Sequence, residues 1–494
     1  MTGKALNPAT FQQPRLRLAM TITRSVPFVY FTLFILATGL PATAQVGFTE
    51  AETVTAKGFL QQNLGNTNAG MVIGLLDANG SRIISAGKLD NGTSQEVNGD
   101  TVFEIGSVTK TFTALLLLDM VERGEMKLDD PVVKYLPKSV TVPTHNGKEM
   151  TLLDLAAHTS GLPRDPNNLT PTRGLPENAF ADYSAERLYE FLRGSTLDRD
   201  PGTRFEYSNV GMAILGHVIE RKAGRNYESL VVERICGPLK MDSTRIILTP
   251  ELKARLAIGH DRLGRPAPNW DFQVYAAAGG LRSTANDLLK YLSANLGLTH
   301  SSLAPLMENM HVIRNKGTAT HGDAAIAWMN RGEGYQSGLN LLGHDGATGG
   351  YETFIGFDKK QCRGVVVLCN QQGGLSPETL GWLLLKGVRL DRSITNALLP
   401  SIDAVGVGVA LDFDSKTRAV MITKVLPNSP ASEAGLSAGL MIRRIDDASA
   451  AGKGLTECIG LIRGAAGTKV RLELVDPKQN TTNTVELTRR KIQK

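Results

Sequence analysis

The pattern of apolar and polar positions predicts two widely separated β-hairpins. Short apolar runs bounded by turn residues predict strands at Met71–Leu76 and Arg82–Ala86, joined by the turn Asp77–Gly80. Far downstream, Tyr351–Phe357 and Gly364–Leu368 flank a polar turn in the same way. Strands are therefore expected near both ends of one long segment.

Between the hairpins the apolar positions follow the helical period. Helices are predicted there at Leu152–Ala157, Ala185–Leu192, Val210–Arg221 and Thr284–Ala294. Strands from distant segments that enclose helices predict an α+β fold. We expect one antiparallel sheet flanked by helices, with a largely helical inserted region.

A further helix is predicted to begin near Ser107 and to end at Gly124. Its residues between Phe112 and Leu118 are apolar on nearly every face, which only a buried helix accommodates. Ser107 and Lys110 are three positions apart, so they share one helix face. A lysine whose pKa is lowered by burial can activate a serine hydroxyl as a nucleophile. Because S-x-x-K also arises by chance, the pair requires support from other motifs.

Residues 1–44 are predicted to be an export signal. Arg15, Arg17 and Arg24 precede the apolar run Val26–Leu40, and Ala42–Ala44 fits an A-x-A cleavage site. The run is shorter than the roughly 20 apolar residues of a spanning helix. We therefore expect a cleaved signal and a periplasmic or secreted protein. An uncleaved anchor, which would be its only membrane contact, is the alternative.

Composition and charge narrow the function classes. The chain has 494 residues, of which 42% are hydrophobic and 21% charged, as in globular proteins of two or three domains. The signal holds four basic residues and no acidic ones, so the net charge of +6 falls to +2 after cleavage (6 − 4 = 2). Because the basic residues form no cluster, no nucleic-acid partner is predicted.

Cysteines and histidines give no sign of a metal site. Cys236, Cys362, Cys369 and Cys458 form no C-x-x-C pair, and the eight histidines show no H-E-x-x-H pattern. No metal and no other cofactor is predicted. Whether an exported chain joins two of these cysteines stays open.

A second, β-rich unit follows a loose segment around Leu390–Ile402. We place a large domain at residues 45–395, a linker at 396–404 and a small domain at 405–494. Elements of the small domain are predicted as strands at Val407–Leu411, Val420–Leu426, Leu440–Ile445, Val470–Val475 and Thr484–Leu487 and a helix at Leu455–Ile462.

The small domain resembles a bacterial PDZ domain. The resemblance is carried by Gly406–Val409, Val425–Ala431, Ala434–Leu436, Ile442–Asp446 and Gly464–Val470. One departure is Leu440, where such domains often carry Asp. The resemblance implies that a peptide adds a strand to the sheet edge and that Val407, Gly408 and Val409 receive its terminal carboxylate. A protein's C-terminal peptide is then a candidate partner, and a scaffold that binds nothing is the alternative.

The small domain also contains a G-x-S-x-G sequence at Gly435–Gly439. A nucleophile elbow requires a strand before this motif and a long helix after it. Neither is predicted, so we interpret Ser437 as a loop residue.

Two further motifs support the S-x-x-K pair. Tyr207-Ser208-Asn209 directly precedes a predicted helix, and His344-Asp345-Gly346 is expected at a strand start. S-x-x-K, Y-x-N and x-x-G in this order resemble the serine β-lactamase and penicillin-binding protein superfamily, in its class C-like branch. The match spans about Asn91–Asn370. Surrounding phrases that agree are Gly106–Lys110, Leu153–Pro163, Pro201–Gly211 and Gly279–Leu281.

The resemblance implies a role for each motif residue. Ser107 would be the acylating nucleophile, Lys110 its proton acceptor and Tyr207 a general base in acylation or deacylation. Asn209 would orient the substrate, and the backbone amides of Ser107 and Ala347 would form the oxyanion hole. The alternative for Tyr207 and Asn209 is that they only cap the following helix.

The third motif departs from the K-T-G of β-lactamases and transpeptidases. His344 and Gly346 are expected to contact substrate, but histidine is mostly neutral at pH 7 whereas lysine is charged and suits a carboxylate. Histidine here resembles the esterases and D-aminopeptidases of the family, which argues against efficient β-lactam hydrolysis. His158, in the phrase Leu153–Pro163, is interpreted as a loop-packing residue with no further role.

Three functional hypotheses follow. The first is an exported serine hydrolase acting through an acyl-serine on an ester or a peptide containing D-residues. The second is a β-lactamase or a D,D-carboxypeptidase or transpeptidase of the cell wall. The third is a non-catalytic ligand sensor with a PDZ module, against which the intact set of Ser107, Lys110, Tyr207 and Asn209 argues.

Overall fold

A computed structural model describes most of the chain after the predicted signal. The described residues are 47–64, 69–169, 178–262, 264–315, 323–330, 341–388, 390, 405–414, 419–450, 455–464, 466–477, 479 and 481–491. The predicted signal at 1–44 and the predicted linker at 396–404 lie outside these ranges. Within them no helix has both the length and the apolar character needed to cross a bilayer.

A seven-stranded antiparallel sheet forms the centre of the large domain. Its strand order is β2-β1-β9-β8-β7-β6-β5, and a separate two-stranded sheet pairs β3 with β4. The strands are β1 Gly70–Asp77, β2 Gly80–Gly87, β3 Phe103–Glu104, β4 Arg282–Ser283, β5 Asp323–Ala324, β6 Met329–Asn330, β7 Leu341–Ala347, β8 Glu352–Asp358 and β9 Arg363–Cys369. Met71 of β1 lies opposite Cys369 of β9, so the two predicted hairpins meet in one sheet and the α+β prediction is confirmed.

Helices cover both faces of this sheet. They are α1 Glu50–Leu64, α2 Thr109–Glu122, α3 Leu152–Ala156, α4 Ala185–Gly194, α5 Asn209–Ala223, α6 Tyr227–Val231, α7 Gly237–Leu239, α8 Pro250–Ala254, α9 Ala276–Gly279, α10 Ala285–Asn295, α11 Ala304–Met310 and α12 Pro377–Leu385. The four helices predicted from periodicity correspond to α3, α4, α5 and α10. The two helices α1 and α12, which the sequence did not predict, pack on the sheet face opposite the inserted region.

The central strands β1 and β9 are buried on both faces, which explains why they read as continuous apolar runs. All eight residues of β1 are buried, as are all seven of β9. One core contains Phe112 and Ile355, and a second, on the other face, contains Phe59, Phe354 and Trp382. A strand between two apolar layers loses the alternation that a half-exposed strand would show.

Helix α2 carries the S-x-x-K pair into the interior. Every residue from Thr109 to Met120 is buried, as its all-round apolar character predicts. A 3₁₀ turn at Gly106–Val108 precedes it and contains Ser107, and Gly124 follows the helix with a φ of 70°. The Phe112 ring stacks on Tyr291 at 4.4 Å. Ser107 is therefore held at the start of a helix that packing surrounds on every side.

The position predicted for the H-D-G motif is wrong. His344-Asp345-Gly346 lies near the end of β7, where we expected the start of the following strand. The residues after it turn the chain into β8, so that Ala347 lies opposite Glu352. Two glycines and two polar residues in β7 hide the apolar pattern by which a strand is recognised.

The C-terminal segment forms its own β-rich unit. Its main sheet has the order β11-β12-β13-β15-β16, β14 pairs with β13, and β10 pairs with β17. The strands are β10 Val405–Gly406, β11 Val409–Asp414, β12 Ala419–Val425, β13 Met441–Ile445, β14 Ala448–Ser449, β15 Lys469–Asp476, β16 Thr481–Thr488 and β17 Arg490–Lys491. The predicted helix Leu455–Ile462 is present, and Cys458 lies in a core with Ile422 and Leu472.

The structure also bears on the G-x-S-x-G sequence and on the cysteines. A four-residue helix, Pro430–Glu433, and a turn directly precede Ser437, so no strand leads into the motif as a nucleophile elbow requires. All four cysteines are free thiols, so no disulfide joins them.

Candidate active site

The side chains of Ser107 and Lys110 meet as the spacing predicts. The Nζ of Lys110 lies 2.8 Å from the Oγ of Ser107 and donates a hydrogen bond to the carbonyl of Ala278 at 2.6 Å. Lys110 is fully buried, whereas Ser107 is partly exposed. The nucleophile thus faces solvent and its base does not.

The surroundings of Lys110 favour its neutral form. Burial lowers the pKa of Lys110 from its usual 10.5 to about 7. This value already includes the positive charge of Arg164, which also lowers the pKa, and the carboxylates of Asp165 and Asp345, which raise it. Near neutral pH a large fraction of Lys110 is therefore unprotonated and able to accept the serine proton.

Tyr207 lies against the Ser107–Lys110 pair. The Nζ of Lys110 is 5.1 Å from the centre of the Tyr207 ring, and the ring of His344 is 6.0 Å away. The ring of His158 is closer, at 4.5 Å, and its Nδ1 accepts a hydrogen bond from the backbone N–H of Ser208. The fold brings all three motifs together. His158, to which the sequence assigned no role, supports the Tyr207 segment.

Asn209 is the first residue of α5, but it is not the cap of that helix. The side chain of Ser208 accepts the hydrogen bond from the backbone N–H of Gly211 at 2.9 Å and so caps α5. The alternative role of Asn209 as the capping residue is therefore wrong. Its Nδ2 instead donates to the carboxylate of Asp165 at 3.1 Å.

Arg164 and Asp165 are site residues that the sequence did not predict. Burial raises the pKa of Asp165, and the hydrogen bond from Asn209 partly offsets this. The guanidinium carbon of Arg164 lies 4.9 Å from the centre of the Tyr207 ring. Both residues directly follow the phrase Leu153–Pro163 that carries part of the resemblance, and this adjacency is the only sequence signal for them.

The end of β7 packs closely against the 3₁₀ turn that holds Ser107. A Cβ on Gly106 would lie 2.6 Å from the backbone N of Ala347, and a Cβ on Gly346 would lie 2.1 Å from the carbonyl O of Ile105. Only glycines permit this approach. Gly346 is therefore buried in the contact between the two segments, where the sequence predicted a substrate-binding residue.

His344, which we expected to contact substrate, has little access to solvent. It is 1% exposed, and its Nδ1 donates to the backbone carbonyl of Asp345 at 2.6 Å. The structure places this histidine beside the Tyr207 ring as part of the wall of the site. Its burial limits direct contact with a substrate.

The predicted carboxylate-binding loop lies between β10 and β11. Gly408 has a φ of 81°, and its carbonyl accepts a hydrogen bond from Leu426 at 2.9 Å. The carbonyl of Val407 accepts one from Ala431 at 2.8 Å, while Val409 begins β11. The loop is thus held in place by the domain's own backbone.

The large domain is similar to known proteins. The Beta-lactamase family model matches residues 59–388. Over 232 residues, the chain is 31% identical to the D-alanyl-D-alanine-carboxypeptidase/endopeptidase AmpH of Escherichia coli (strain K12), covering 47% of this chain and 58% of that protein. It is 28% identical over 285 residues to penicillin-binding protein 4 of Amycolatopsis lactamdurans, covering 55% of this chain and 73% of that one.

Solved structures show the same similarity. A beta-lactamase/D-alanine carboxypeptidase from Yersinia pestis, complexed with citrate, aligns with a TM-score of 0.56 and 25% identity, covering 67% of this chain and 98% of that one. The D-alanine carboxypeptidase AmpC of Burkholderia cenocepacia gives a TM-score of 0.54 and 26% identity, covering 65% of this chain and 93% of that one. The family model matches more than half of the chain, so the chain belongs to the Beta-lactamase family of serine hydrolases.

Proposed function

We propose that the protein is an exported hydrolase that forms an acyl-serine intermediate with peptides containing D-alanine or with related esters. The observation that carries the proposal is the contact of 2.8 Å between the Oγ of Ser107 and the Nζ of Lys110, whose pKa burial lowers to about 7. The names of the AmpH relative and of the solved carboxypeptidases favour the D,D-peptidase hypothesis. Histidine in place of the K-T-G lysine argues against fast β-lactam turnover.

The proposed reaction has two proton-coupled steps. The Oγ of Ser107 attacks the substrate carbonyl while Lys110 takes its proton, and Lys110 then gives this proton to the leaving amine or alcohol. Water then attacks the acyl-serine with Tyr207 as general base, which releases the acid and restores Ser107. The backbone amides of Ser107 and Ala347 are the proposed donors to the developing oxyanion.

Labelling with a fluorophosphonate probe tests the nucleophile. Wild-type protein should be labelled and Ser107→Ala should not. Ser437→Ala, which removes the serine of the G-x-S-x-G sequence, is the matched control and should be labelled like the wild type. An unlabelled wild type, or equal labelling of Ser107→Ala, would exclude the acyl-serine mechanism.

A substrate panel tests the ranking of substrates. Initial rates would be compared for a peptide ending in D-Ala-D-Ala, a nitrophenyl ester and a chromogenic cephalosporin. We expect turnover of the first two and slow or stalled turnover of the cephalosporin. Equally fast cephalosporin hydrolysis would make the protein a β-lactamase.

For the C-terminal domain we propose peptide binding at the edge of its sheet. β11 is the terminal strand of the sheet order, and the helix Leu455–Ile462 lies against it. A peptide could add a strand to this edge with its carboxylate at Val407, Gly408 and Val409. This arrangement is what supports the resemblance to PDZ domains.

Peptide titration of the full chain tests this second proposal. A library of free C-terminal peptides should contain binders whose amidated forms bind weakly. Gly408→Ala should weaken binding, because its φ of 81° disfavours a side chain. Gly435→Ala is the control, because it shares a positive φ of 70° but lies in open space. Equal affinity for acid and amide would favour the scaffold interpretation.

A further inference from the structure

The site contains an exposed positive charge that no family motif supplies. Two cationic groups lie against the Tyr207 ring in the described part of the chain, Lys110 at 5.1 Å and Arg164 at 4.9 Å. Lys110 is fully buried, whereas the side chain of Arg164 is 68% exposed. Of these two cations, only Arg164 can meet a substrate from solvent.

The backbone of Arg164 is held firmly at the site. Its carbonyl accepts hydrogen bonds from the backbone N–H groups of Asn209 at 2.8 Å and Val210 at 3.2 Å, at the start of α5. The side chain therefore extends over Tyr207 from a fixed point. A guanidinium that stacks on a ring keeps its N–H edge free, and this edge matches the two oxygens of a carboxylate.

The neighbouring charges make this cation necessary for an anionic substrate. The carboxylates of Asp165 and Asp345 raise the pKa of Lys110, whereas Arg164 lowers it. Two carboxylates therefore lie near the reacting groups. The ion pair between Arg164 and Asp165 is loose, at 3.9 Å, and Asp165 already accepts from Asn209. Of the charged residues that the structure describes around Lys110, Arg164 is the cation that offsets Asp165 and Asp345, so its loss would leave a substrate carboxylate facing these two carboxylates.

We infer that Arg164 is the residue that recognises a carboxylate of the substrate, in the place of the lysine that His344 replaces. This inference rests on the proposed function and specifies its substrate class, namely acyl-D-alanyl compounds with a free carboxylate on the leaving group. His344 is 1% exposed and cannot provide that contact. Arg164 is a specificity residue, since acyl transfer itself uses Ser107 and Lys110.

Two thioesters of N-acetyl-D-alanine test the inference. One has mercaptoacetate as its leaving group and the other mercaptoacetamide, so they differ in charge and hardly in shape. Thiol release would be measured about two pH units above the Lys110 pKa of about 7, and the ratio of the two substrates cancels any change in the protonation of Lys110 that the loss of Arg164 causes. The ratio of interest is kcat/KM for the anionic thioester divided by kcat/KM for the neutral one. We expect Arg164→Gln to lower this ratio by about tenfold or more, because a charged hydrogen-bonding partner is lost.

Arg204→Gln is the matched control for this ratio. Arg204 is similarly exposed, at 62%, and pairs with Glu206 in the same stretch of chain as Tyr207. Its substitution should leave the ratio unchanged. A ratio that stays within about twofold in Arg164→Gln, or that falls equally in Arg204→Gln, would overturn the inference.

A binding measurement separates this inference from the proposed reaction. In the Ser107→Ala, Gly408→Ala background, in which the proposed peptide site of the C-terminal domain is weakened, calorimetry would compare a D-Ala-D-Ala peptide with its C-terminal amide. We expect the free acid to bind more tightly and the preference to disappear when Arg164→Gln is added. Preference without turnover in the wild type would contradict the proposed reaction alone, and turnover without preference would contradict the role of Arg164 alone.

Discussion

Gly106 and Ala347 approach each other so closely that a Cβ on Gly106 would lie 2.6 Å from the backbone N of Ala347. The contact joins the turn that holds Ser107 to the end of β7. It brings together the two segments whose amides we propose as the oxyanion hole. Acyl transfer should therefore depend on the absence of a side chain at residue 106.

Gly106→Ala is predicted to lower kcat/KM for ester hydrolysis by about 100-fold, the usual effect of losing one oxyanion-hole donor. Gly124→Ala is its control, because it has a comparable positive φ of 70° but no neighbour within 4 Å. That variant should lose some stability and keep its activity. Equal activity losses in both variants would indicate that backbone strain alone is responsible. Ester kinetics and thermal denaturation measure the two effects.

The pH dependence of acylation should follow the protonation of Lys110. With its pKa at about 7, kcat/KM should rise with pH and level off above this value. Arg164→Gln should move the midpoint upwards, because the charge of Arg164 lowers the pKa of Lys110. If kcat/KM did not change between pH 5 and 9, the role of Lys110 as the base would be contradicted.

The same lysine should make stability depend on pH. Its pKa is about 7 in the folded chain and near its usual 10.5 when unfolded, so the unfolded chain binds more protons between these values. The Lys110 contribution to the free energy of unfolding therefore rises with pH across this window. Lys110→Met should remove this rise as well as the fluorophosphonate labelling. Denaturant titrations of the wild type and of Lys110→Met at several pH values in this range give the free energy of unfolding of each protein. If this free energy changed with pH equally in both proteins, the lowered pKa of Lys110 would be contradicted.

A buried ion pair supports the loop beside the site. The Nη2 of Arg282 lies 3.0 Å from the Oε1 of Glu104, with side-chain exposures of 11% and 3%, and it also donates to the carbonyl of Trp270. Arg282→Met should cost about 3–5 kcal/mol of unfolding free energy, because it leaves a buried carboxylate unpaired. Burial already raises the pKa of Glu104, so the loss should shrink at acidic pH as this carboxyl becomes protonated.

An exposed pair is the control for that prediction. Arg225 lies 2.6 Å from Glu233, with side-chain exposures of 42% and 58%. Arg225→Met should change the unfolding free energy by less than about 1 kcal/mol. Similar losses of unfolding free energy in the two variants would show that burial does not determine how much the Arg282–Glu104 pair stabilises the protein.

Helix α5 and the α9 turn should tolerate no added methyl between them. A Cβ on Gly216 would lie 2.1 Å from the Cβ of Ala277, next to the Ala278 carbonyl that receives the Lys110 hydrogen bond. Gly216→Ala should cost about 1–3 kcal/mol through overpacking, and it should also lower kcat/KM. Gly58→Ala, in a helix with nothing within 4 Å of the added Cβ, should instead stabilise the protein slightly. Equal effects on the denaturation midpoint would contradict the packing argument.

The sequence by itself determined the local features of this protein. Helices α3, α4, α5 and α10, the helix Leu455–Ile462 and the S-x-x-K geometry all depend on residues a few positions apart. The hydrophobic period of these helices is visible in the sequence, and the helices are present in the structure. Strand β7 was missed because glycines and polar residues interrupt its pattern, although its motif was recognised.

Only the tertiary structure decided the chemistry of the site. The low pKa of Lys110 results from burial by distant segments, and the position of Arg164 over Tyr207 depends on the contact of its backbone with the start of α5. His344, which we expected to contact substrate, is buried, and Arg164 is the exposed cation against Tyr207. Burial and electrostatic fields depend on which remote residues pack together. A motif names the reacting groups, and long-range packing sets their charge and access to solvent.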